Sequence, residues 1–425
     1  MFTADVDDPL LAPPTPATLE LAGWDDARRR LGDGPERARS EADVARARAG
    51  VRAARAARLP TASGTASVAI DLLHPGTAPG IPATADYTPT APVGQVAVTA
   101  SLPLYDAVNR RERVAVAADL RGAEAGRVDA DRRLALRAAR AVVSVMAAAR
   151  GAELNRQGLR LALERAALGE RTQVLGAATE LDVVRTRQDV AVARAAVISG
   201  DEQLRVARET LGFALATDGE VGLDAGLTRA ALLGELAAQC RPLPSGEERA
   251  DLAVARADVE LARARQAQVE ASVLPSLSLD TAISAYTTDP APARVPAWSL
   301  AVVLRVPIWD GGRRAAATAQ RAAAVADALA VTDGVRRTAA LEIARARRGG
   351  GVTASLVTAA VEARDLALRI DTMTRRSFEI GRATSLELVQ SAAALRQAEL
   401  TLSVREHEQL AAEIDALLTE SRCVP

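Results

Sequence analysis

The chain carries one pattern twice, and this internal repeat limits its possible folds more than any other feature. Gly176–Val184 reads GAATELDVV, and Gly381–Val389 reads GRATSLELV 205 positions later. In the same order, the LPLYD of Leu102–Asp106 returns as the VPIWD of Val306–Asp310, 204 positions later. Because the two matches have nearly the same offset, they indicate a duplicated half of roughly 200 residues.

Each half contains a segment that predicts a β-hairpin. Apolar residues alternate with small polar residues on both sides of a turn-rich stretch, over 61–105 and again over 276–309. A period of two is typical of strands with one apolar face. Each strand is long enough to cross a bilayer when it is tilted. The alternative is a soluble sheet of four strands.

Aromatic residues favour the membrane interpretation. Tyr and Trp concentrate at membrane–water interfaces, because one end of each side chain is apolar and the other is polar. Aromatics make up only 2% of the chain, yet several of them lie in or beside the two hairpins. The aromatics assigned to the membrane interface are Tyr105, Tyr286, Trp298 and Trp309.

The remainder of each half predicts long helices that pack as coiled coils. No proline occurs from Asp106 to Leu175, and leucine recurs every seven residues at Leu154, Leu161, Leu168 and Leu175. Sustained heptads predict helices that supercoil with their neighbours. Each pair of long helices is separated by a glycine followed three residues later by a threonine, which suit a helix end and an N-cap. Each half is therefore predicted to be an antiparallel αα hairpin, with the tip residues Gly176, Thr179, Leu181, Gly381, Thr384 and Leu386.

These patterns predict four parts of the chain. They are an extended arm over 1–18, a first repeat over 19–212 with its tip near 176–182, a joining segment over 213–246, and a second repeat over 247–425 with its tip near 381–387. Gly349–Gly351 lies inside the long helix of the second repeat. Three glycines in a helix interior predict a bend or a break there.

Composition and motifs speak against an enzyme or a nucleic-acid-binding protein. The net charge is −1, which gives no reason to expect nucleic acid as a partner. All 53 basic residues are arginines, so the chain has no lysine for a P-loop or a Schiff base. The histidines, His74 and His407, are isolated, and no zinc-protease, nucleophile-elbow or Walker A motif is present. We therefore expect no catalytic residue, cofactor or metal site.

The cysteines and the targeting signals constrain the fold and the location less than the repeat does. Cys240 and Cys423 are too far apart in sequence to form a metal-binding motif, and whether they pair stays open. No run of 18 apolar residues predicts a transmembrane helix. The printed N-terminus lacks a positive region followed by an apolar stretch, so no signal peptide is expected in it.

If the predicted strands cross a bilayer, one chain cannot complete the barrel. An open sheet edge in lipid leaves backbone N–H and C=O groups without partners. Four strands are too few to close, so several copies must contribute to one barrel. Two copies give eight strands with an interior filled by side chains, and a larger number leaves a channel.

The order of these features resembles the TolC-like outer-membrane efflux proteins over nearly the whole chain. The motifs are ARAGVRAARAARLP ending at Pro60, LPLYD ending at Asp106, VPIWDGG ending at Gly312, and the two Gly-x-x-Thr-x-Leu-(Asp/Glu) turns. The resemblance implies a mainly helical fold with strands, in a homotrimer whose twelve strands cross the outer membrane and whose twelve helices form a periplasmic tunnel. It implies a passive exit duct of a tripartite efflux or type I secretion system. Its partners would be a periplasmic adaptor, an inner-membrane pump and outer-membrane lipid.

The resemblance also implies a gate and an adaptor-docking surface at the tips. Asp182 and Glu387 match positions where acidic residues ring the entrance and attract cations. Gln390 stands where the family commonly has a second acid, one helical turn further on. Arg382 lies one position before the family's latch arginine, which suggests an Arg382–Asp182 contact that closes the tip. An exposed pair of this kind contributes about 0–1 kcal/mol.

Two other classes of protein share some of these features. One is a soluble periplasmic coiled-coil scaffold, and the other is the adaptor of such a pump. An adaptor should contain a single helical hairpin flanked by compact β domains, so the duplication and the strand pairs favour the channel. Each charged residue at the tips also has a simpler interpretation as part of a solvated helix surface.

Overall fold

The structure is a computed structural model that describes residues 7–70, 72–73, 93–176, 178–286 and 296–423. Within these residues the α-helices are α1 (Trp24–Gly32), α2 (Pro35–Ala56), α3 (Ala107–Val174), α4 (Glu180–Ala214), α5 (Arg229–Gln239), α6 (Ala250–Ala271), α7 (Arg313–Glu379) and α8 (Ser385–Thr419). The strands are β1 (Leu19–Leu21), β2 (Thr61–Ala69), β3 (Val93–Tyr105), β4 (Val221–Leu223), β5 (Cys240–Pro242), β6 (Ser276–Tyr286), β7 (Ala297–Arg305) and β8 (Ser421–Cys423). Residues 1–6 of the predicted arm, His74 and the turns of both predicted hairpins lie outside the described residues.

The element order repeats, as the sequence pattern predicts. Helix, strand, strand, long helix and helix follow one another as α2-β2-β3-α3-α4 and again as α6-β6-β7-α7-α8. Both α2 and α6 have 22 residues, α3 and α7 have 68 and 67, and α4 and α8 have 35 each. At 1.5 Å per residue the long helices extend about 100 Å. The prediction of a mainly helical fold with long αα hairpins and β-hairpins is confirmed.

The chain divides into two compact units that do not coincide with the two repeats. One unit, called here the helical unit, comprises Met1–Glu41, Arg127–Ala250 and Arg336–Pro425. The other, called here the sheet unit, comprises Ala42–Gly126 and Asp251–Val335. Each unit takes segments from both halves of the sequence, because corresponding elements of the two repeats pair with each other.

The sheet unit joins both hairpins in one antiparallel sheet of order β2-β3-β6-β7. The hairpins meet along β3 and β6, where Leu102 is opposite Leu279. The register shifts between Pro103 and Tyr105, and a proline cannot donate a ladder hydrogen bond. Strands β2 and β7 form the two edges and are exposed along their whole length.

The helical unit has a buried core built mostly of leucine and alanine. The middle of α3 contributes Val142 and Ala138, α5 contributes Leu232, and the end of α8 contributes Ile414, all of them at most 1% exposed. Trp24 of α1 is in the same cluster. The small volume of alanine lets helices approach closely, so a chain with few aromatics still forms a core here.

Two short sheets connect distant parts of the helical unit. Strand β1 pairs in parallel with β4, and β5 pairs in antiparallel register with β8. In the second of these sheets the Cα atoms of Cys240 and Cys423 are directly opposite each other. Cys240 is disulfide-bonded, which answers the question that the sequence left open for this residue.

The described part of the N-terminal arm lies along α3 and α4. The Asp8 carboxylate, which is buried, pairs with Arg194 at 2.9 Å. Further along the arm, the Arg156 guanidinium donates to the carbonyl of Ala12 at 2.8 Å. The arm includes a short 3₁₀ turn at Pro9–Leu11.

A buried ion pair connects the two helices of the first hairpin. The Arg165 Nη2 of α3 is 2.5 Å from Oδ2 of Asp189 in α4, and both side chains are less than 10% exposed. The second hairpin is joined differently, because the buried Asp371 of α7 accepts from the Ser391 hydroxyl of α8 at 3.2 Å.

Gly349–Gly351 was predicted to bend or break α7, and the break is wrong, because α7 is one continuous helix through all three glycines. The Thr353 hydroxyl donates to the Gly349 carbonyl at 2.9 Å, and the Ser355 hydroxyl donates to the Gly351 carbonyl at 3.0 Å. Each glycine costs about 1 kcal/mol relative to alanine in a helix interior. The hydrogen-bonded helix turns before and after the three glycines offset this cost.

Candidate functional site: the helix turns and the polar face of the sheet

The turn between α3 and α4 is built by local hydrogen bonds. Gly176 has a φ of +72°, a conformation that glycine adopts without steric cost. Thr179 is the N-cap, and its hydroxyl accepts from the backbone N–H of Asp182 at 3.3 Å. The Asp182 carboxylate in turn accepts from the backbone N–H of Thr179 at 2.9 Å. This reciprocal arrangement is a capping box, which fixes the start of α4.

The turn between α7 and α8 has the same construction. Gly381 has a φ of +73°. The hydroxyl of Thr384 accepts from the backbone N–H of Glu387 at 3.3 Å, and the Glu387 carboxylate accepts from the Thr384 N–H at 2.7 Å. At both turns the side chain of the second helical residue, Leu181 or Leu386, is exposed, with 55% and 44% of its area accessible. The turns therefore present an apolar residue that the chain itself does not cover.

Both capping carboxylates have lowered pKa values. The pKa of Asp182 is lowered mainly by the hydrogen bond from the Ser385 hydroxyl, and then by those from Thr179. The pKa of Glu387 is lowered by the backbone N–H of Thr384 and then by the hydroxyl of that residue. A hydrogen bond to the charged form of a carboxyl favours ionisation. Both groups are therefore negatively charged at neutral pH.

The hypothesised contact between Arg382 and Asp182 is not formed in the described chain. The Asp182 carboxylate instead accepts a hydrogen bond from the hydroxyl of Ser385, the first residue of α8. The backbone of Arg382 closes the end of α7, with its N–H donating to the Ser377 carbonyl at 2.8 Å, and its side chain is exposed. Glu387 and Gln390 are also exposed. Sequence reasoning missed Ser385, whose only signal is its place at the start of the helix beside Asp182.

One face of the four-stranded sheet is lined by small and hydroxyl side chains. Ser63 and Thr99 are hydrogen-bonded to each other through their hydroxyls at 2.9 Å. On the same face, the Asp280 carboxylate accepts from Ser101 at 2.5 Å and from Ser278 at 3.1 Å. Asp280 is the single carboxylate in β2, β3, β6 and β7. It was not identified from the sequence, although it alternates in phase with the serines of β6.

The other face of the sheet is apolar and exposed. Its outer strand, β7, presents Trp298, Leu300, Val302 and Leu304 with 63–76% of each side chain accessible. Contiguous apolar area of this kind is unusual on a protein surrounded by water and is typical of a lipid-facing surface. The Trp298 indole N–H donates to the Thr281 hydroxyl at 2.9 Å, so its polar atom is satisfied.

The four aromatics assigned to the membrane interface occupy different places. Trp298 is on the apolar face, and Trp309 follows β7 and is 87% exposed. The ring of Tyr105 has the Arg110 guanidinium 4.7 Å from its centroid. Tyr286, however, lies on the polar face, where its hydroxyl accepts from Gln95 at 3.4 Å. Tyr286 therefore alternates in phase with Asp280 rather than with Ile283, and its assignment to the membrane interface stays a prediction.

Other kinds of site are not found in the described segments. No group of three or more His, Cys, Asp or Glu side chains there is arranged to hold a metal ion. No helix in the described ranges has both the length and the hydropathy required to span a membrane.

Known proteins share this arrangement of strands and long helices. A family model described as outer membrane efflux protein matches residues 32–217 and 245–416. The chain belongs to the outer membrane efflux protein family. No curated protein matches the chain. Members of the family are channels in the outer membrane and not enzymes, so the predictions of the family, of the outer-membrane location and of a non-enzymatic protein are confirmed.

Solved structures of outer-membrane channels and other outer-membrane proteins have the same fold. The chain is similar to CusC, with a TM-score of 0.80 and 18% identity, and the match covers 98% of both chains. It is similar to the outer membrane protein VceC of Vibrio cholerae, with a TM-score of 0.77, 16% identity and coverage of 93% of this chain and 95% of that one. The Campylobacter jejuni CmeC outer membrane channel matches with a TM-score of 0.78, 13% identity and coverage of 99% and 93%.

Proposed function

We propose that three copies of this efflux channel form the passive exit duct of a tripartite efflux or type I secretion system. The observation that supports this most directly is the four-stranded sheet, which has one apolar face, one hydroxyl-lined face and two open edges. A sheet edge in lipid requires a strand from another copy as its partner. Three copies supply twelve strands and leave a water-filled lumen against the hydroxyl-lined face.

The small side chains on the polar face suit a wide and unselective lumen. Thr61, Ser63, Thr99 and Ser101 offer hydroxyls to water, and none of them is large enough to occlude a pore. Asp280 is the exception, because three copies place three carboxylates in the lumen. The duct therefore favours cations weakly at this level.

The gate is proposed at the two turns, in the periplasm. Three exposed Glu387 carboxylates, which are ionised at neutral pH, form a ring that concentrates cations at a narrow entrance. Asp182 lies at the corresponding position of the other turn, but its carboxylate accepts a hydrogen bond from the Ser385 hydroxyl. Replacing Glu387 by Gln is expected to reduce cation selectivity, and Gln390→Glu, one turn further along α8, is expected to increase it.

The exposed leucines at the turns are proposed to dock a periplasmic adaptor, which connects the duct to an inner-membrane pump. Leu181 and Leu386 follow the two N-caps and are left uncovered by their own chain. Leu181→Ser with Leu386→Ser, which adds no charge to the entrance, is expected to reduce the amount of adaptor that co-purifies from crosslinked membranes. Conductance of the purified channel should be unchanged, because the core of the helical unit is untouched.

The test of the duct itself combines mass and conductance. Protein purified in detergent is expected to have the mass of a trimer and to open cation-selective pores in a planar bilayer. A monomer that stays in solution without detergent and forms no pores would overturn the proposal and favour a soluble scaffold or an adaptor.

A further inference from the structure

The register of the short β5–β8 sheet decides which residues can be linked across it. The backbone N–H of Leu243 donates to the Glu420 carbonyl at 2.8 Å. Hydrogen-bonded and non-hydrogen-bonded pairs alternate along an antiparallel ladder, so Cys240 and Cys423, three positions further along, are a non-hydrogen-bonded pair. The N–H of Cys240 accordingly donates to the Ala237 carbonyl at the end of α5. The Cα atoms of such a pair are about 4.5 Å apart, within the range that a disulfide spans.

The sequence offers Cys240 one disulfide partner within the chain. Cys240 is disulfide-bonded, and 9% of its area is exposed. Cys423 is the one other cysteine of the 425 residues, and its Cα lies opposite that of Cys240. A bond between them joins the end of α5 to the strand that follows α8. It also closes a loop that runs from residue 240 to residue 423, and crosslinks over long loops restrict the unfolded chain most.

Strand β8 is short and polar. Its sequence is SRC, so it brings no large apolar side chain to the core of the helical unit. That core includes α8 as far as Leu418. The ion pair between Arg347 and Glu420, just before the strand, is partly exposed, and exposed ion pairs contribute little to stability. An isolated two-stranded sheet is at best marginally stable in water, so the ladder with β5 holds β8 weakly.

The equivalent strand of the first repeat is held by burial. Strand β4 follows α4 as β8 follows α8, and it pairs in parallel with β1. Val221 of β4 and Leu21 of β1 are at most 1% exposed. The removal of this apolar area from water keeps the β1–β4 sheet in place.

We propose that Cys240 and Cys423 form a redox-dependent staple, which fixes β8 to the helical unit. The staple gives the second repeat, by a covalent bond, the attachment that the first repeat obtains by burying Val221. In the reduced protein β8 therefore opens away from β5 readily. The proposal does not require the trimeric duct, because both cysteines belong to one chain.

Closing the staple requires an oxidant that carries a disulfide. One cysteine thiolate attacks a sulfur of the oxidant to give a mixed disulfide, which the other cysteine thiolate resolves. The chain gains one S–S bond and the oxidant loses one. Two electrons and two protons pass from the thiols to the oxidant, which leaves as a dithiol. The family is located in the outer membrane, and the periplasm beneath that membrane is an oxidising compartment in which disulfides persist.

Mapping of the bond tests the pairing. The protein is purified from membranes in detergent after free thiols have been blocked with N-ethylmaleimide. We expect both cysteines to be unblocked and the chain to run as a monomer on a non-reducing denaturing gel. Trypsin should release a peptide ending at Arg241 that is joined to Cys423–Pro425. A blocked cysteine in the folded protein, or copies linked to one another, would overturn the intrachain staple.

The same blocking experiment tests the oxidant. In cells that lack periplasmic thiol oxidases, the fraction of protein with blocked cysteines should rise. Addition of cystine, a small disulfide, should reverse that rise. An unchanged blocked fraction in these cells would refute closure by a disulfide-bearing oxidant.

Amide hydrogen exchange tests what the staple does. In Cys423→Ala, exchange over residues 419–423 should rise on the order of ten-fold, because β8 then opens without a crosslink. The double variant Cys240→Ala/Cys423→Ala should match it there, since one bond can be lost only once. Exchange over 221–223 in β4 is the internal control and should not change. If Cys423→Ala exchanges at β8 like the wild type, the bond does not hold β8 and the proposed role is wrong.

Discussion

The helical unit buries its apolar side chains, whereas the sheet unit exposes apolar side chains of the same kinds. In the helical unit, side chains such as Leu232 and Ile414 are fully buried by elements of the same chain. In the sheet unit, Leu300 and Val302 are equally apolar but two-thirds exposed. The difference shows that hydropathy alone does not decide burial. A helix bundle completes its core within one chain, whereas the environment that we propose for this sheet includes lipid and neighbouring copies.

The largest expected difference between the units concerns the buried ion pair. Arg165→Met leaves the Asp189 carboxylate buried without its partner, and we expect a loss of about 3–5 kcal/mol in the free energy of unfolding. The double variant Arg165→Met/Asp189→Leu should recover most of that loss, because no charge is then left buried. Denaturant unfolding followed by circular dichroism measures both variants. Equal losses in the single and double variants would show that the helices depend on the pair itself.

The second prediction separates the two faces of the sheet. Leu300→Arg puts a charge on the apolar face, and at the middle of a bilayer this costs about 2–4 kcal/mol. We expect a strong decrease in the fraction of protein inserted into liposomes. Its control, Ser299→Arg, adds the same charge one residue away on the hydroxyl-lined face and should insert normally. A similar defect in both variants would mean that the faces are not assigned as described.

The third prediction concerns the helix caps, which are exposed and therefore contribute less than core residues. Thr384→Ala removes one half of the capping box and should cost about 1 kcal/mol in the free energy of unfolding at neutral pH. Thr384→Ser retains the hydroxyl and serves as the control.

The same cap gives a pH dependence whose sign is fixed by the lowered pKa of Glu387. A carboxyl with a lowered pKa in the folded state contributes stability above its unfolded value of about 4, and this stability is lost as the pH falls below that value. The destabilisation caused by Thr384→Ala should therefore shrink between about pH 4 and pH 2. A constant difference over this range would show that the carboxylate does not take part in the cap.

The smallest expected effect lies in the lumen of the proposed barrel. Asp280→Asn removes the single carboxylate of the four strands, and we expect cation selectivity to fall by roughly two-fold, since water in a wide lumen screens the charge. Ser101→Ala removes a hydrogen bond to Asp280 but leaves the charge, and its selectivity should match that of the wild type. Reversal potentials in a salt gradient distinguish the two variants.

Local patterns in the sequence predicted the elements that local forces build. The period of two predicted the four long strands, and Gly176 and Thr179 predicted the end of one helix and the start of the next. Non-local contacts could not be predicted in this way. The pairing of β3 with β6 and the bond between Asp182 and Ser385 join residues about 180 to 200 positions apart, and no periodicity encodes them.

One error comes from considering a residue type alone. Gly349–Gly351 was expected to bend or break α7 because helix propensity was considered alone, whereas α7 runs without a break through all three glycines. The hydrogen-bonded turns on both sides outweigh the preference of these single residues. Tyr286 was assigned to the membrane interface from its residue type, and its phase along β6 places it on the same face as Asp280.

The pairing of β5 with β8 also sets an order of events during folding. Cys240 is 183 positions away from its register partner, and the short sheet that they form borders the core of the helical unit. Strand β8 follows every described helix in the chain, so β5 has no partner until all of them have been synthesised. We expect the closing of β5 onto β8 to be a late and slow step of folding, because pairings of such long sequence separation form slowly.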